Sequence, residues 1–219
     1  MENLNLQKID FNTPSNFNIN TYSYWSIKSQ VNRDYVTIAS AFTKDEVKDI
    51  IKLGKSFKFD QSKTADGNSF SDVRKSYNSW IPPSTITEKL YDKISKLILN
   101  VNENFFDFNL ISLEHLQYTE YDEEYNGEYK MHVDMFRDPP TPNNHRKLSF
   151  SIQLTDPETY EGGELVFYSS NETQIADKSI GSITFFPSYI LHQVKPVTKG
   201  CRNCLVGWVS GPKFRWDYE

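Results

Sequence analysis

The first half of the chain contains a stretch whose apolar residues recur every three or four positions after Thr43. Thr43 and Glu46 have the spacing of a capping box, in which a threonine hydroxyl and a glutamate each bind a free backbone N–H. Gly54 lies where a helix would need a C-cap. The pattern predicts a helix over residues 43–53.

A second amphipathic stretch follows a pair of prolines. Thr85 and Glu88 repeat the capping-box spacing, and apolar residues then continue at helical intervals. These are Leu90, Ile94, Leu97, Ile98 and Val101. A second helix is predicted over residues 85–104.

From about residue 110 the pattern changes to short β-rich runs separated by Gly, Pro, Asn and Asp. Such spacing indicates a sandwich or jelly roll rather than βαβ units. The prediction is a mainly β fold with flanking helices (α+β), with a jelly-roll core at about 110–210 inside a domain spanning 41–219. Residues 1–40 are Asn-rich and poorly periodic, and are expected to form an N-terminal extension packed on the core.

One predicted strand, residues 147–154, alternates strictly between apolar and polar positions. Leu148, Phe150, Ile152 and Leu154 share one face, and Ser149, Ser151 and Gln153 share the other. Because successive side chains of a strand point to opposite faces, only one face is apolar. The polar face either meets solvent or lines a ligand cavity.

Composition narrows the range of functions. The chain has 15 Phe and 13 Tyr, enough rings for a dense interior, and a net charge of -5. Nucleic-acid binding needs clustered basic residues, so a nucleic-acid partner is not expected. Without an 18-residue apolar stretch or a secretory signal, the sequence predicts a cytoplasmic protein with no membrane contact. No pattern indicates an oligomeric state.

Candidate chemistry begins with His132 and Asp134 in the segment KMHVDMF. At positions i and i+2 of an extended segment, the imidazole and the carboxylate point to the same side. Together with His192 they would form a two-histidine, one-carboxylate site that leaves three positions free on Fe(II). The alternative for an isolated pair of this kind is a surface salt bridge or a capped turn.

Arg202 follows His192 by ten residues and precedes the apolar run CLVGWV. A fixed guanidinium is a suitable partner for the far carboxylate of a dicarboxylic acid. Trp208 has the same parity as Arg202 on a strand, so both are predicted to face one cavity. The alternative is an arginine that faces solvent.

Three segments together resemble the Fe(II)- and 2-oxoglutarate-dependent dioxygenases, in particular their prolyl 4-hydroxylase-like branch. They are HVD at 132–134, GGELVF at 162–167 and HQVKPVTKGCRNCLVGW at 192–208. The resemblance covers about residues 70–215 and implies a double-stranded β-helix. It also implies an enzyme that uses Fe(II), 2-oxoglutarate and O2, with ascorbate as a candidate reductant.

The same resemblance implies roles for single residues. His132, Asp134 and His192 would be the catalytic iron ligands, and Arg202 would anchor 2-oxoglutarate. Tyr121 matches a tyrosine whose hydroxyl helps to hold the co-substrate. The local segment YDEEYNGEY is longer than in the family, which leaves Tyr125 as a competing assignment.

Further matches concern the substrate side of the site. Tyr129 corresponds to an aromatic residue of the cleft wall, and Arg74 in VRKS resembles an Arg-x-Ser element. Both are substrate-binding candidates, as is Trp208. The chain departs from the family at Gln153, where several relatives have tyrosine. It also carries Arg202 where many collagen-type relatives have lysine.

The predicted function is hydroxylation of a prolyl residue in a peptide or protein, with release of succinate and CO2. Alternatives are the same chemistry on a free amino acid or nucleic acid, or a jelly-roll binding module without catalysis. The polar segments 60–80 and 135–147 are expected to form the two sides of the substrate entrance.

Overall fold

A computed structural model describes residues 34–62, 73–135, 145–168 and 173–214. The predicted N-terminal extension therefore lies mostly outside the described residues. Within the described ranges the chain has two α-helices, α1 (Lys44–Ser56) and α2 (Glu88–Val101). The second continues into a π-helical turn at Asn102–Phe106, and short 3-10 turns occupy Glu123–Tyr125 and Pro157–Thr159.

The start of α1 has the predicted capping box. The Thr43 hydroxyl accepts a hydrogen bond from the Glu46 N–H at 3.2 Å, and the Thr43 N–H donates to the Glu46 carboxylate at 2.8 Å. The helix ends later than predicted, with Phe57 as its C-cap. Gly54 lies inside the helix, where a Cβ atom would be 2.4 Å from Cγ of Tyr118. Its small size thus allows α1 to pack closely on the sheet, and its predicted role as a cap is wrong.

The start of α2 also differs from the prediction. The helix begins at Glu88 with Thr87 as N-cap, and no side chain caps it. The Thr87 hydroxyl instead donates to the Pro82 carbonyl at 2.9 Å and accepts from the Ser84 N–H at 2.8 Å. Because Glu88 is the first helical residue rather than the third, a Thr85–Glu88 capping box cannot form.

The strands fall into two main sheets, both antiparallel. In chain order the described strands are β1 (Val36–Ile38), β2 (Asp60–Gln61), β3 (Arg74–Lys75), β4 (Tyr77–Ile81), β5 (Ser112–Leu113), β6 (Leu116–Asp122), β7 (Glu128–His132), β8 (His145–Gln153), β9 (Glu161–Gly162), β10 (Leu165–Tyr168), β11 (Thr173–Ile175), β12 (Ile183–Pro187), β13 (His192–Val194), β14 (Val197–Lys199) and β15 (Cys201–Gly211).

The large sheet has the order β1-β12-β8-β15-β6-β4-β2, with β5 also paired to β15. One of its faces packs against α1 and α2 through a cluster of apolar side chains. Val47 and Ile98 come from the helices, and Phe150, Ile152 and Leu205 come from the central strands. Burial of this apolar surface is the main stabilising contribution to such a core.

The small sheet has the order β11-β10-β13-β7-β3 and faces the other side of the large sheet. Phe167 of the small sheet meets Phe186 of the large sheet with ring centroids 4.9 Å apart. Both belong to a second buried cluster that also includes Tyr121 and Cys204. Two facing antiparallel sheets with flanking helices form the predicted double-stranded β-helix. The candidate site lies between them.

Candidate active site

Strand pairing brings the two distant histidines together. His192 on β13 lies directly opposite His132 on the neighbouring strand β7. Asp134 follows β7, and its N–H donates to the Ser188 carbonyl at 2.8 Å, which fixes the chain there. Nε2 of His132 lies 3.5 Å from Oδ1 of Asp134, and Nε2 of His192 lies 3.5 Å from Oδ2.

The hydrogen bonds of the imidazoles determine which nitrogen faces the site. Nδ1 of His132 lies 2.7 Å from the Lys130 carbonyl, and Nδ1 of His192 lies 2.9 Å from the Ile190 carbonyl. A carbonyl can only accept, so each Nδ1 carries the proton and each Nε2 keeps its lone pair. The two Nε2 atoms and a carboxylate oxygen of Asp134 lie within 4.8 Å of one another, so all three can bind one metal ion.

Charge and burial suit this donor set to a divalent metal ion. Burial lowers the pKa of His192, although the Asp134 carboxylate acts in the opposite direction. Burial by itself would raise the pKa of Asp134, but the neighbouring His192 and His132 hold it well below its usual range. A neutral imidazole and an ionised carboxylate are the forms that bind metal. The residues present therefore fit Fe(II).

Arg202 on β15 is a buried cation at the same cleft, with 4% of its surface exposed. No ion pair found among the described residues involves it. The Cys204 sulfur lies 3.6 Å from Nη1, and the ring of Tyr121 is centred 5.7 Å from Cζ. A buried charge is costly unless it is paired, so this arrangement favours an anionic ligand.

The cleft contains each residue for which a site role was predicted, apart from Tyr125. Its lining includes Arg74, Gln117, Tyr121, Tyr129, His132, Asp134, Ser151, His192, Arg202, Cys204 and Trp208. Tyr125 lies in a 3-10 turn, where its hydroxyl donates to the Glu120 carbonyl and its ring meets Tyr77 edge-on. Of the two competing tyrosines, Tyr121 is the one in the cleft.

The polar face of β8 is also turned inward. Ser151 lines the cleft, and the Ser149 hydroxyl lies 2.9 Å from that of Ser188. Nε2 of Gln153 donates to the Tyr160 hydroxyl at 2.9 Å. The polar face of β8 could have met solvent or lined a ligand cavity, and the structure shows that it lines the cavity.

One wall of the cleft is built around Arg74 and Tyr129. The Arg74 guanidinium donates to Oε1 of Gln117 at 2.8 Å and lies 4.7 Å above the Tyr129 ring. The Tyr129 ring stacks in turn on His132, with centroids 3.5 Å apart. A fixed cation and an aromatic face thus adjoin the metal-binding cluster.

Trp208, which lines the cleft, contacts residues that the sequence interpretation missed. Glu114 holds Arg146 by two hydrogen bonds of 2.9 and 2.8 Å, and the Arg146 guanidinium lies 4.0 Å above the Trp208 ring. Nε1 of Trp208 is buried and has no hydrogen-bond partner in the described part of the chain. The sequence signal was weak, because Glu114 and Arg146 lie 32 residues apart and meet only through the pairing of β5 and β8 with β15.

The two segments predicted to form the substrate entrance are only partly described. Residues 63–72 and 136–144 lie outside the described ranges. Arg74 lies in the cleft, whereas Trp80 is 45% exposed and contacts Trp208 at 6.0 Å between ring centroids. The entrance therefore stays a prediction.

Similarity to known proteins agrees with this geometry. Residues 116–210 match the family model of the 2OG-Fe(II) oxygenase superfamily. A PKHD-type hydroxylase of Prochlorococcus marinus (strain NATL2A) is 33% identical over 181 residues, covering 81% of this chain and 78% of the relative. The chain belongs to this oxygenase superfamily. A shorter match, 45% identical over 63 residues, covers 29% of a PKHD-type hydroxylase from Gloeothece citriformis and 29% of this chain.

Solved structures share the fold of this oxygenase at low sequence identity. A prolyl 4-hydroxylase of Pseudomonas putida has a TM-score of 0.65 at 18% identity, covering 82% of this chain and 94% of that one. A prolyl hydroxylase of Trichoplax adhaerens, in complex with a hypoxia inducible factor peptide fragment, has a TM-score of 0.66 at 18% identity, covering 80% and 83%. These likenesses confirm the predicted double-stranded β-helix.

Membership of the family makes the chain an oxygenase enzyme that uses Fe(II), 2-oxoglutarate and O2. The alternative of a binding module without catalysis is thereby set aside. Ascorbate as reductant and a cytoplasmic location remain predictions. In the described ranges, neither helix combines the length and apolar character needed to cross a membrane.

Proposed function

We propose that this oxygenase hydroxylates a prolyl residue in a peptide or protein and releases succinate and CO2. One observation carries the proposal: the three metal-binding donors and the buried Arg202 share a cleft walled by aromatic and cationic side chains. The names of the PKHD-type and prolyl hydroxylase relatives support the same reaction class.

In this proposal His132 and His192 hold Fe(II) through Nε2, and Asp134 holds it through its carboxylate. The carbonyls at Lys130 and Ile190 keep both rings in the required tautomer and orientation. Such outer partners normally tune metal affinity. When bound, the iron and its co-substrate supply the oxidising power needed to hydroxylate a C–H bond.

Arg202 would hold the distal carboxylate of 2-oxoglutarate. Its burial excludes water from the ion pair, and the absence of an acidic partner among the described side chains leaves the guanidinium available. Tyr121 is 3% exposed in the same cleft, next to Arg202, and is the proposed second contact of the co-substrate. Burial raises the pKa of Tyr121, so its hydroxyl stays a hydrogen-bond donor.

The remaining walls suit a proline in a peptide. Trp208 lines the cleft, and its ring offers an apolar surface against which a pyrrolidine ring can pack. Arg74 also lines the cleft, where Gln117 holds it, and guanidinium N–H groups can donate to peptide carbonyls. A peptide offers such carbonyls on both sides of the reacting residue, whereas free proline has only its carboxylate.

The test combines succinate release with the mass of the acceptor. The Fe(II)-loaded chain is incubated with 2-oxoglutarate, O2 and a panel of proline-containing peptides, each paired with a copy in which alanine replaces proline. Free proline and an oligonucleotide serve as the alternative substrates. We expect succinate together with the gain of one oxygen atom on proline peptides alone.

The Asp134→Asn variant is the negative control, and Asp45→Asn on the exposed surface is the matched positive control. Succinate without oxygen on any peptide would count as uncoupled turnover and contradict the proposed substrate. Oxygen gained by free proline or by the oligonucleotide instead would assign the enzyme to one of the alternative substrate classes.

A further inference from the structure

Tyr160 is a buried tyrosine next to Arg202 for which the sequence indicated no role. It lies just before β9 and is 4% exposed. Its hydroxyl is within hydrogen-bonding reach of both Gln153 and the Arg202 guanidinium. Gln153 and Arg202 line a second cavity that adjoins the cleft, and Arg202 belongs to both.

The hydrogen bonds around this hydroxyl can be assigned one by one. Nε2 of Gln153 donates to the Thr155 carbonyl at 3.1 Å, which fixes the orientation of the amide. The same nitrogen therefore donates to the Tyr160 hydroxyl at 2.9 Å. Arginine has no acceptor, so Arg202 can only donate as well. The Tyr160 oxygen thus accepts from Gln153 next to the Arg202 guanidinium, and its own proton has no acceptor among the described residues.

Packing holds Tyr160 and Arg202 side by side. Gly163 is the shared neighbour, and a Cβ atom there would lie 2.9 Å from Cδ of Arg202 and 3.3 Å from Cε2 of Tyr160. Burial raises the pKa of Tyr160 although Arg202 acts in the opposite direction, so the phenol keeps its proton at neutral pH. An unused O–H donor thus lies beside a buried cation for which the described ranges contain no ion-pair partner.

We infer that Tyr160 donates its hydroxyl proton to the distal carboxylate of the co-substrate, and that Gln153 orients it for this purpose. The inference rests on the proposed role of Arg202. It adds a second donor to the same carboxylate and gives Gln153 a function in the wall of the co-substrate pocket. Two donors of different geometry would fix the carboxylate better than a guanidinium alone.

The experiment compares two keto acids that differ only at their far end. Mn(II)-loaded chain is titrated calorimetrically, without O2, with 2-oxoglutarate and with 2-oxopentanoate, which carries a methyl group in place of the distal carboxylate. For Tyr160→Phe we expect roughly 10- to 100-fold weaker binding of 2-oxoglutarate, as for loss of a hydrogen bond to a charged group. Binding of 2-oxopentanoate should not change.

Tyr118→Phe is the matched control, because it also removes one buried hydroxyl hydrogen bond, to Oδ1 of Asn203 at 2.8 Å, away from the cleft. It should leave both affinities unchanged. Unchanged binding of 2-oxoglutarate by Tyr160→Phe would overturn the inference. So would an equal loss for both keto acids, which would indicate that the ring only supports the fold.

Arg202→Gln distinguishes a failure of the role inferred for Tyr160 from a failure of the proposed co-substrate site. If it weakens 2-oxoglutarate binding and Tyr160→Phe does not, the inference fails while the proposed anchor stands. If Arg202→Gln has no effect on 2-oxoglutarate binding, the proposed co-substrate site is wrong and the role of Tyr160 is lost with it. Mn(II) affinity, measured in the same titrations, verifies that each variant keeps its site intact.

Discussion

The two faces of the large sheet are both buried but differ in chemistry. The face toward α1 and α2 carries Leu148, Phe150 and Ile152 of β8, all fully buried among apolar neighbours. The opposite face carries Ser149 and Gln153 of the same strand, which are equally inaccessible but polar. Burying polar groups costs free energy that apolar groups would not cost.

The two faces of the same sheet therefore have different roles, one in stability and the other in ligand binding. The helix-side face contributes burial of apolar surface and no binding group. The inner face holds Arg202 and faces the metal-binding cluster, and its polar groups line the cavities in which a ligand would bind. We therefore expect substitutions on the helix-side face to change the free energy of unfolding, and those on the inner face to change ligand affinity.

The largest effect should come from Phe150→Ala. It leaves a cavity in a fully buried part of the helix-side core, and we expect the free energy of unfolding to fall by about 3–5 kcal/mol. Chemical denaturation measures the change. Ser151→Ala on the inner face of the same strand is the control and should change it by less than about 0.5 kcal/mol. A similar loss of unfolding free energy in both variants would show that the two faces contribute equally to stability.

Asp134→Asn tests the metal-binding side of the cleft. The substitution removes the one negative charge between two imidazoles, so Fe(II) affinity should fall on the order of 100-fold or more, since even outer-shell changes typically cost 10- to 100-fold. Anaerobic calorimetry with Fe(II) measures it. The exposed Asp45→Asn should bind Fe(II) normally. If Asp134→Asn binds Fe(II) as tightly as the unchanged chain, Asp134 is not a metal ligand.

Arg202→Gln tests the other end of the cleft. Loss of a charged hydrogen-bond partner should weaken 2-oxoglutarate binding by about 1.5–3 kcal/mol, with metal affinity unchanged. The free energy of unfolding of the metal-free chain should not fall, because the variant removes a buried charge that has no counter-ion among the described side chains. Lys199→Gln, which alters an exposed cation near the same strand, is the control. A marked loss of stability would indicate a structural ion pair instead.

The smallest effect is expected at the edge of the helix-side core. Thr43→Ala removes the N-cap of α1 and should lower the free energy of unfolding by about 1 kcal/mol without changing ligand affinity. Thr85→Ala has the same local sequence pattern but lies outside α2, so it should have almost no effect. Equal effects of the two variants in thermal melts would contradict the observed start of α2.

Features that depend on a few neighbouring residues could be predicted from the sequence. The capping box at Thr43, the two faces of β8 and the common side of His132 and Asp134 follow from helix and strand geometry alone. Gly54 shows where such local reasoning stops. A glycine near a helix end predicts a cap, but here its reason is the Tyr118 ring of a strand 64 positions later.

The sequence by itself determined which residue types could bind a metal ion and an anion, because imidazole, carboxylate and guanidinium chemistry does not depend on the fold. Only the tertiary structure decided which of them meet. The register of β13 on β7 places His192 opposite His132. Tyr160 and Arg202 both pack against Gly163, which brings them side by side. The physical reason is that contacts between distant segments are set by strand pairing and packing, which sum interactions over the whole core rather than within a local pattern.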